Sequence, residues 1–167
     1  MGCVVSFLAQ GEDTDGRFAL VEYRSKPGNE PPPHIHEWEH EFYYVLDGAM
    51  EFYIGDQVIQ AKQGQVVFLP QGKAHAFKIK SDELRALILV VATGEQPVGL
   101  DRYFLELAEP ATTMSLPKEA VTYAVADPKH AISVGERNGI RILSPSETPE
   151  FIASYPGLGS PVMQEMA

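Results

Sequence analysis

The chain has 167 residues and 18.4 kDa, with 44% hydrophobic and 22% charged residues; that is one ordinary domain with enough apolar material for a core, and it excludes two full domains or a disordered chain. Lys plus Arg number 13 against 23 Asp plus Glu, a formal charge of -10 whose field repels a phosphate backbone and an anionic membrane alike, so nucleic acid and membrane are not expected partners. The single cysteine, Cys3, cannot close an intrachain disulfide, which makes a cytoplasmic location the default.

In chain order, Met1-Gly2-Cys3-Val4-Val5-Ser6 fits the loose N-myristoylation pattern, with Cys3 placed for a second acyl chain. Val4 to Leu8 also reads as a first strand, whose apolar residues need burial. From Phe18 to Ala92 short β-branched and aromatic runs alternate with turn residues, which predicts strands at Phe18 to Ser25, His34 to His36, Glu41 to Leu46, Ala49 to Ile54, Gln57 to Ala61, Gln65 to Leu69, His75 to Ile79 and Leu84 to Val91. Pro27-Gly28, Asp47-Gly48, Gly55-Asp56, Gln63-Gly64, Pro70-Gln71-Gly72 and Ser81-Asp82 supply the breaks. The longest apolar run, Ala86 to Ala92, is far short of the roughly 18 residues a spanning helix needs.

After Ala92 the period changes. Leu100, Tyr103, Phe104 and Leu107 lie on one face of a helix that Pro110 stops, and a second helix is expected from Asp127 as N-cap, with Pro128 at N1, to Asn138-Gly139. A short strand, Ile140 to Leu143, follows, and the last segment reads as a surface tail. The expected fold is all-β, a small antiparallel barrel or jelly roll over residues 1–95, with residues 96–167 a C-terminal helical extension and tail packing on it.

The chemistry is concentrated within the barrel. On a strand His34 and His36 point to one face; Glu41 opens the next strand, and His75 heads another after the Pro70-Gln71-Gly72 turn. Three imidazoles and one carboxylate brought to one end of a barrel form a mixed N/O set suited to one divalent transition metal: Fe, Mn, Co, Ni, Cu or Zn. Tyr43 and Val45 share parity with Glu41, and Phe77 shares it with His75; with Phe52 they either line an apolar substrate pocket or belong to the core. His40 reads as an exposed loop residue or a partner of the site, Trp38 as a rim aromatic or a packing anchor, Glu37 and Glu39 as solvated charges, and His130 as a surface helical residue.

The punctuation around these residues is specific. Gly28, five residues, His34-X-His36, four residues, Glu41, six residues and Gly48 match the first signature of the cupin superfamily; Gly64, five residues, Pro70-X-Gly72, two residues and His75 match the second. Ile79 stands where that second signature often closes with Asn. Outside the signatures, Gly11-Glu12-Asp13-Thr14, Pro31-Pro32-Pro33, Asp101-Arg102-Tyr103-Phe104 and Arg137-Asn138-Gly139-Ile140 resemble bacterial single-domain cupins similar to quercetin dioxygenase. The resemblance implies the double-stranded β-helix fold and His34, His36, Glu41 and His75 as metal ligands. It further implies dioxygen-dependent cleavage of a small enol-type or aromatic substrate, with Glu41 as the catalytic base, and a homodimer. A non-redox isomerase or lyase, or a binding module without catalysis, is the alternative on the same scaffold.

Overall fold

The computed structural model describes residues 2–117 and 128–157. Among these residues ten strands run in chain order: β1 (Val4–Ala9), β2 (Phe18–Ser25), β3 (His34–His36), β4 (Glu39–Asp47), β5 (Ala49–Ile54), β6 (Gln57–Lys62), β7 (Val66–Leu69), β8 (His75–Ile79), β9 (Leu84–Ala92) and β10 (Ile140–Ile142). Among the described residues three α-helices follow the main body: α1 (Leu100–Leu107), α2 (Pro128–Arg137) and α3 (Thr148–Phe151). No helix among the described residues is long and apolar enough to cross a membrane.

The strands form two five-stranded sheets, ordered β1-β2-β9-β4-β7 and β10-β3-β8-β5-β6, with every pairing antiparallel. Pairing stays within each sheet, so the fold is a double-stranded β-helix of two facing sheets rather than a cylinder hydrogen-bonded all the way round. The period-2 alternation explains why. Inward positions such as Val21, Tyr43, Val45, Met50, Phe52, Phe77, Ile88 and Val90 merge into one core between the sheets, each large side chain contributing about 1.5–3 kcal/mol of transfer free energy.

Four predicted strands, β2, β3, β5 and β8, coincide with the observed bounds; β2 and β5 have Gly or Pro within two residues of both ends, and Pro33 precedes β3. β4 differs: it begins at Glu39, two residues before the expectation, so Glu39 and His40 belong to a strand and not to a loop. The expected N-cap Asp127 and the tail beyond residue 157 lie outside the described residues. β10 pairs with β3, placing a strand from the C-terminal region beside the two histidines.

Candidate metal centre

β3 and β8 lie side by side with His34 directly opposite His75, and His36 follows two residues on, on the same face. Glu41 comes from β4 in the facing sheet. The register of His75 depends on the preceding turn. Gly72 holds φ +74°, a left-handed conformation that favours glycine, and its N–H donates to the His36 carbonyl at 2.8 Å, tying the start of β8 to the end of β3. One ligand atom from each of His34, His36, Glu41 and His75 lies within 4.8 Å of the others, and all four residues are buried.

Hydrogen bonds on the far side of each ring decide what faces inward. His34 Nδ1 donates to the Pro32 carbonyl at 2.8 Å, His75 Nδ1 to the Lys73 carbonyl at 3.0 Å, and His36 Nδ1 to Glu39 Oε1 at 2.7 Å. A carbonyl only accepts, so Nδ1 carries the hydrogen and Nε2 turns its lone pair to the centre. Glu41 Oε2 lies 3.2 Å from His75 Nε2 and 3.6 Å from His36 Nε2, and none of these three buried atoms has a hydrogen-bond partner. Lone pairs gathered this closely out of water repel one another unless a cation stands among them, so the residues present fit a divalent metal.

Electrostatics agree with that preparation. Burial, then the neighbouring His75 and His36, push His34 down to about 3, so its imidazole stays neutral. Burial would raise Glu41, but His36, His75 and His34 outweigh it and hold the carboxyl at about 2. Burial would likewise lower His36, yet the Glu41 and Glu39 carboxylates prevail and its pKa is raised.

A narrow, mainly apolar cleft opens beside His34 and Glu41. Tyr23, Tyr43 and Phe77 supply its sheet walls, Leu100, Tyr103 and Phe104 of α1 another side, and Ile140 and Ile142 of β10 a third. About 30 Å³ of it is open to water-sized molecules, room for roughly two waters.

A family model described as a cupin domain matches residues 21–92. The chain is 26% identical over 103 residues to quercetin 2,3-dioxygenase of Bacillus subtilis, covering 62% of this chain but 29% of that protein, so it spans less than a third of that enzyme's length. It is 30% identical over 88 residues to the uncharacterized Streptomyces coelicolor protein SCO3923, covering 53% of this chain and 78% of that one. The chain belongs to the cupin family. Among solved structures it is similar to a predicted oxalate decarboxylase from Thermotoga maritima (TM-score 0.51, 24% identity, 55% of this chain and 81% of that one) and to the cupin domain of Schizosaccharomyces pombe Cnp3 (TM-score 0.50, 17% identity, 56% and 63%), likenesses of fold.

Within this cupin the structure brings His34, His36, Glu41 and His75 together, and places Tyr43 and Phe77 on the cleft wall. Val45 and Phe52 are wholly buried in the core and do not line that cleft; Phe52 packs against Tyr43 at 5.2 Å and Phe77 at 5.8 Å between ring centroids. Glu39 is not a solvated charge. It is 1% exposed, and while Oε1 accepts from His36, Oε2 accepts the Gly99 N–H at 2.7 Å. Glu39 shares strand parity with Glu41 and Tyr43, but so does the exposed Glu37, so parity alone does not single it out.

Trp38 is a packing anchor. A Cβ on Gly139, which holds φ +70°, would lie 2.3 Å from Trp38 Cδ2, so that ring sits flush on the α2–β10 turn. Half-buried His40 accepts the Gln71 N–H on Nδ1 at 3.0 Å, while Glu37 and His130 are exposed. Cys3 stands on the cleft wall, where burial pushes its thiol up to about 11, and the buried Gly2 carbonyl accepts from Asn29 Nδ2 at 2.9 Å. Gly2 and Cys3 are therefore packed against the protein.

Proposed function

We propose that this cupin is a metal-dependent oxygenase acting on a small enol-type or aromatic molecule. The observation that carries the reading is the set of buried, partnerless acceptor atoms beside an apolar cleft, with support from the similarity to a quercetin dioxygenase. His34, His36, Glu41 and His75 would hold one divalent transition metal, Fe, Mn, Ni, Co, Cu or Zn. Such an ion supplies positive charge for an anionic substrate oxygen and, where redox-active, a route for electrons to dioxygen.

The chain's own part is positional and acid–base. Once the cleft widens, Tyr43, Phe77 and the α1 aromatics would flank a flat apolar body and exclude water. Glu41 stays ionised down to about pH 2, so its carboxylate is always ready to accept a proton, yet it is a weak base. It therefore suits an acidic hydroxyl, an enol or phenol, better than an alcohol. At about 30 Å³ the cleft must widen, by movement of α1 or β10, to admit any enol or aromatic substrate.

The deciding experiment is metal analysis of the purified protein followed by oxygen-electrode assays with small β-dicarbonyl enols, catechols and flavonols. Oxygen uptake dependent on both metal and substrate is expected. Turnover that proceeds equally without oxygen would make the protein an isomerase or lyase, and a full metal site with no turnover would make it a binding module.

Metal affinity should fall in acid. The raised pKa of His36 means that this ring holds a proton more tightly than a free imidazole and that the proton competes with the metal, whereas His34, held at about 3, and Glu41, held at about 2, are already proton-free above pH 4. Titration with Co²⁺ should give weaker binding at pH 5.5 than at pH 7.5. An affinity unchanged across that interval would contradict the proton competition.

A further inference from the structure

Asn29 stands on the wall of the cleft, in the segment that leads into β3, and is fixed from three directions. Gly28 holds φ +88°, a left-handed turn that glycine favours, and the Asn29 N–H closes that turn onto the Lys26 carbonyl at 3.2 Å. The Glu30 carboxylate accepts the Gly28 N–H and the Ile79 N–H, each at 2.8 Å, and so ties the turn to the end of β8. The Asn29 side chain itself donates from Nδ2 to the buried Gly2 carbonyl at 2.9 Å, and a Cβ on Gly2 would overlap the amide.

That last bond settles which way the amide faces. A carbonyl only accepts, so Nδ2 must point at Gly2 and Oδ1 takes the other end. Asn29 is 7% exposed, and its Oδ1 has no hydrogen-bond partner among the described residues. Ser25 Oγ and Asp101 Oδ1 are likewise buried and partnerless, but neither residue lines the cleft; beyond the candidate metal ligands, Asn29 is the described cleft residue that carries such an atom. Holding Gly2 accounts for one end of the amide and not for the other, and buried polar atoms are nearly always paired.

We infer that Asn29 is a specificity-determining residue for the reaction proposed above: its Oδ1 accepts a hydrogen bond from a second, uncharged donor on the substrate, a hydroxyl or an amide N–H, in addition to the acidic hydroxyl directed at Glu41. The inference rests on that reading of the cleft as the substrate site. The surroundings select the donor. A carboxylate there would set oxygen against oxygen, with Glu41 on the same cleft adding repulsion, and an ammonium would give up its hydration for a single uncharged acceptor. In a mainly apolar cleft one fixed acceptor discriminates sharply, because a ligand without the donor covers Oδ1 and leaves it unpaired.

Ligand-observed NMR on the protein as purified, under nitrogen, reads affinity without turnover. Resorcinol or hydroquinone, neither of which chelates a metal as catechol does, should bind about 5- to 150-fold more tightly than phenol. The ligand 3-methoxyphenol, which fills the same space without the second donor, should not. In Asn29→Leu the preference should vanish while phenol binds as before, and Asn29→Asp, which gives up the amide donor to Gly2 but keeps an acceptor, should retain it. A wild type that binds all four ligands alike, or binds none of them, overturns the inference, as does a preference that survives in Asn29→Leu. Equal weakening of phenol and resorcinol in both variants overturns it too, since that is the result of a purely structural bond to Gly2. Should Asn29→Leu fail to fold by circular dichroism, the wild-type comparison with 3-methoxyphenol decides. Absence of oxygen uptake counts against the oxygenase reading alone, because binding under nitrogen does not depend on it.

Discussion

Glu39→Gln should bind metal about 10- to 100-fold more weakly than the wild type, and His75→Ala should lose the metal. Glu39 accepts two hydrogen bonds, from His36 Nδ1 and from the Gly99 N–H, and only a carboxylate can accept both. Glutamine has one acceptor and one donor end. If its NH₂ turns to Gly99, two donors collide, and a buried N–H goes unpaired at a cost of about 1–3 kcal/mol. If the NH₂ turns to His36, the imidazole must move its hydrogen to Nε2, the atom that faces Glu41 at 3.6 Å, and a metal can no longer use that lone pair without a tautomer change. His75→Ala differs in kind because it removes a donor outright from a different strand than His34 and His36. Calorimetric titration with Zn²⁺, with circular dichroism as the folding control, separates the two cases. A Glu39→Gln protein of wild-type affinity would show that the carboxylate does not orient His36, and full stoichiometry in His75→Ala would refute the ligand set.

The same carboxylate explains where reading the sequence stops. Gly and Pro punctuation marks strand ends because the special dihedrals are local properties of those residues, and the two-residue period then places His34 with His36 and Glu41 with Tyr43 on common faces. Nothing local distinguishes Glu39 from the exposed Glu37 in the run Glu37-Trp38-Glu39-His40. Its second hydrogen-bond partner is the N–H of Gly99, sixty residues further on, and a buried charge is legible only once its partners are placed. α1 has the same character. Its apolar stripe is visible as a 3.6-residue period, but that Leu100, Tyr103 and Phe104 wall the cleft is a tertiary fact that periodicity does not contain. Val45 and Phe52 illustrate the converse: parity assigns an inward direction, and in this two-sheet fold many inward positions are core while others, such as Tyr43 and Phe77, line the cleft.

Glu39 also makes the candidate metal centre and the cleft one mechanical unit. Gly99 is the N-cap of α1, so the carboxylate that orients His36 holds the start of the helix whose side chains form the cleft wall. A Cβ at Gly99 would fall 1.8 Å from the Asn138 carbonyl oxygen, which pins that corner against the α2–β10 turn. The position of the cleft wall and the orientation of the imidazole are thus set by the same pair of hydrogen bonds.

Glu41→Gln should lower turnover by about 10²- to 10⁴-fold while leaving most of the metal in place. The substitution preserves the shape of a side chain that is 1% exposed, and the three imidazoles that supply most of the donor set are untouched. It removes the only carboxylate of the candidate ligand set, and with it the group that would take the proton from a substrate hydroxyl at the end of the cleft. Glu41 is held at about 2, so the wild-type rate should show no fall from its protonation above pH 4; acid losses there belong to weakened metal binding and are reversed by added metal. Parallel measurement of metal content and initial rate, with oxygen present and absent, distinguishes base loss from metal loss. Equal losses of metal and rate would reduce Glu41 to a ligand, and an undiminished rate in the metal-loaded variant would remove it from the chemistry.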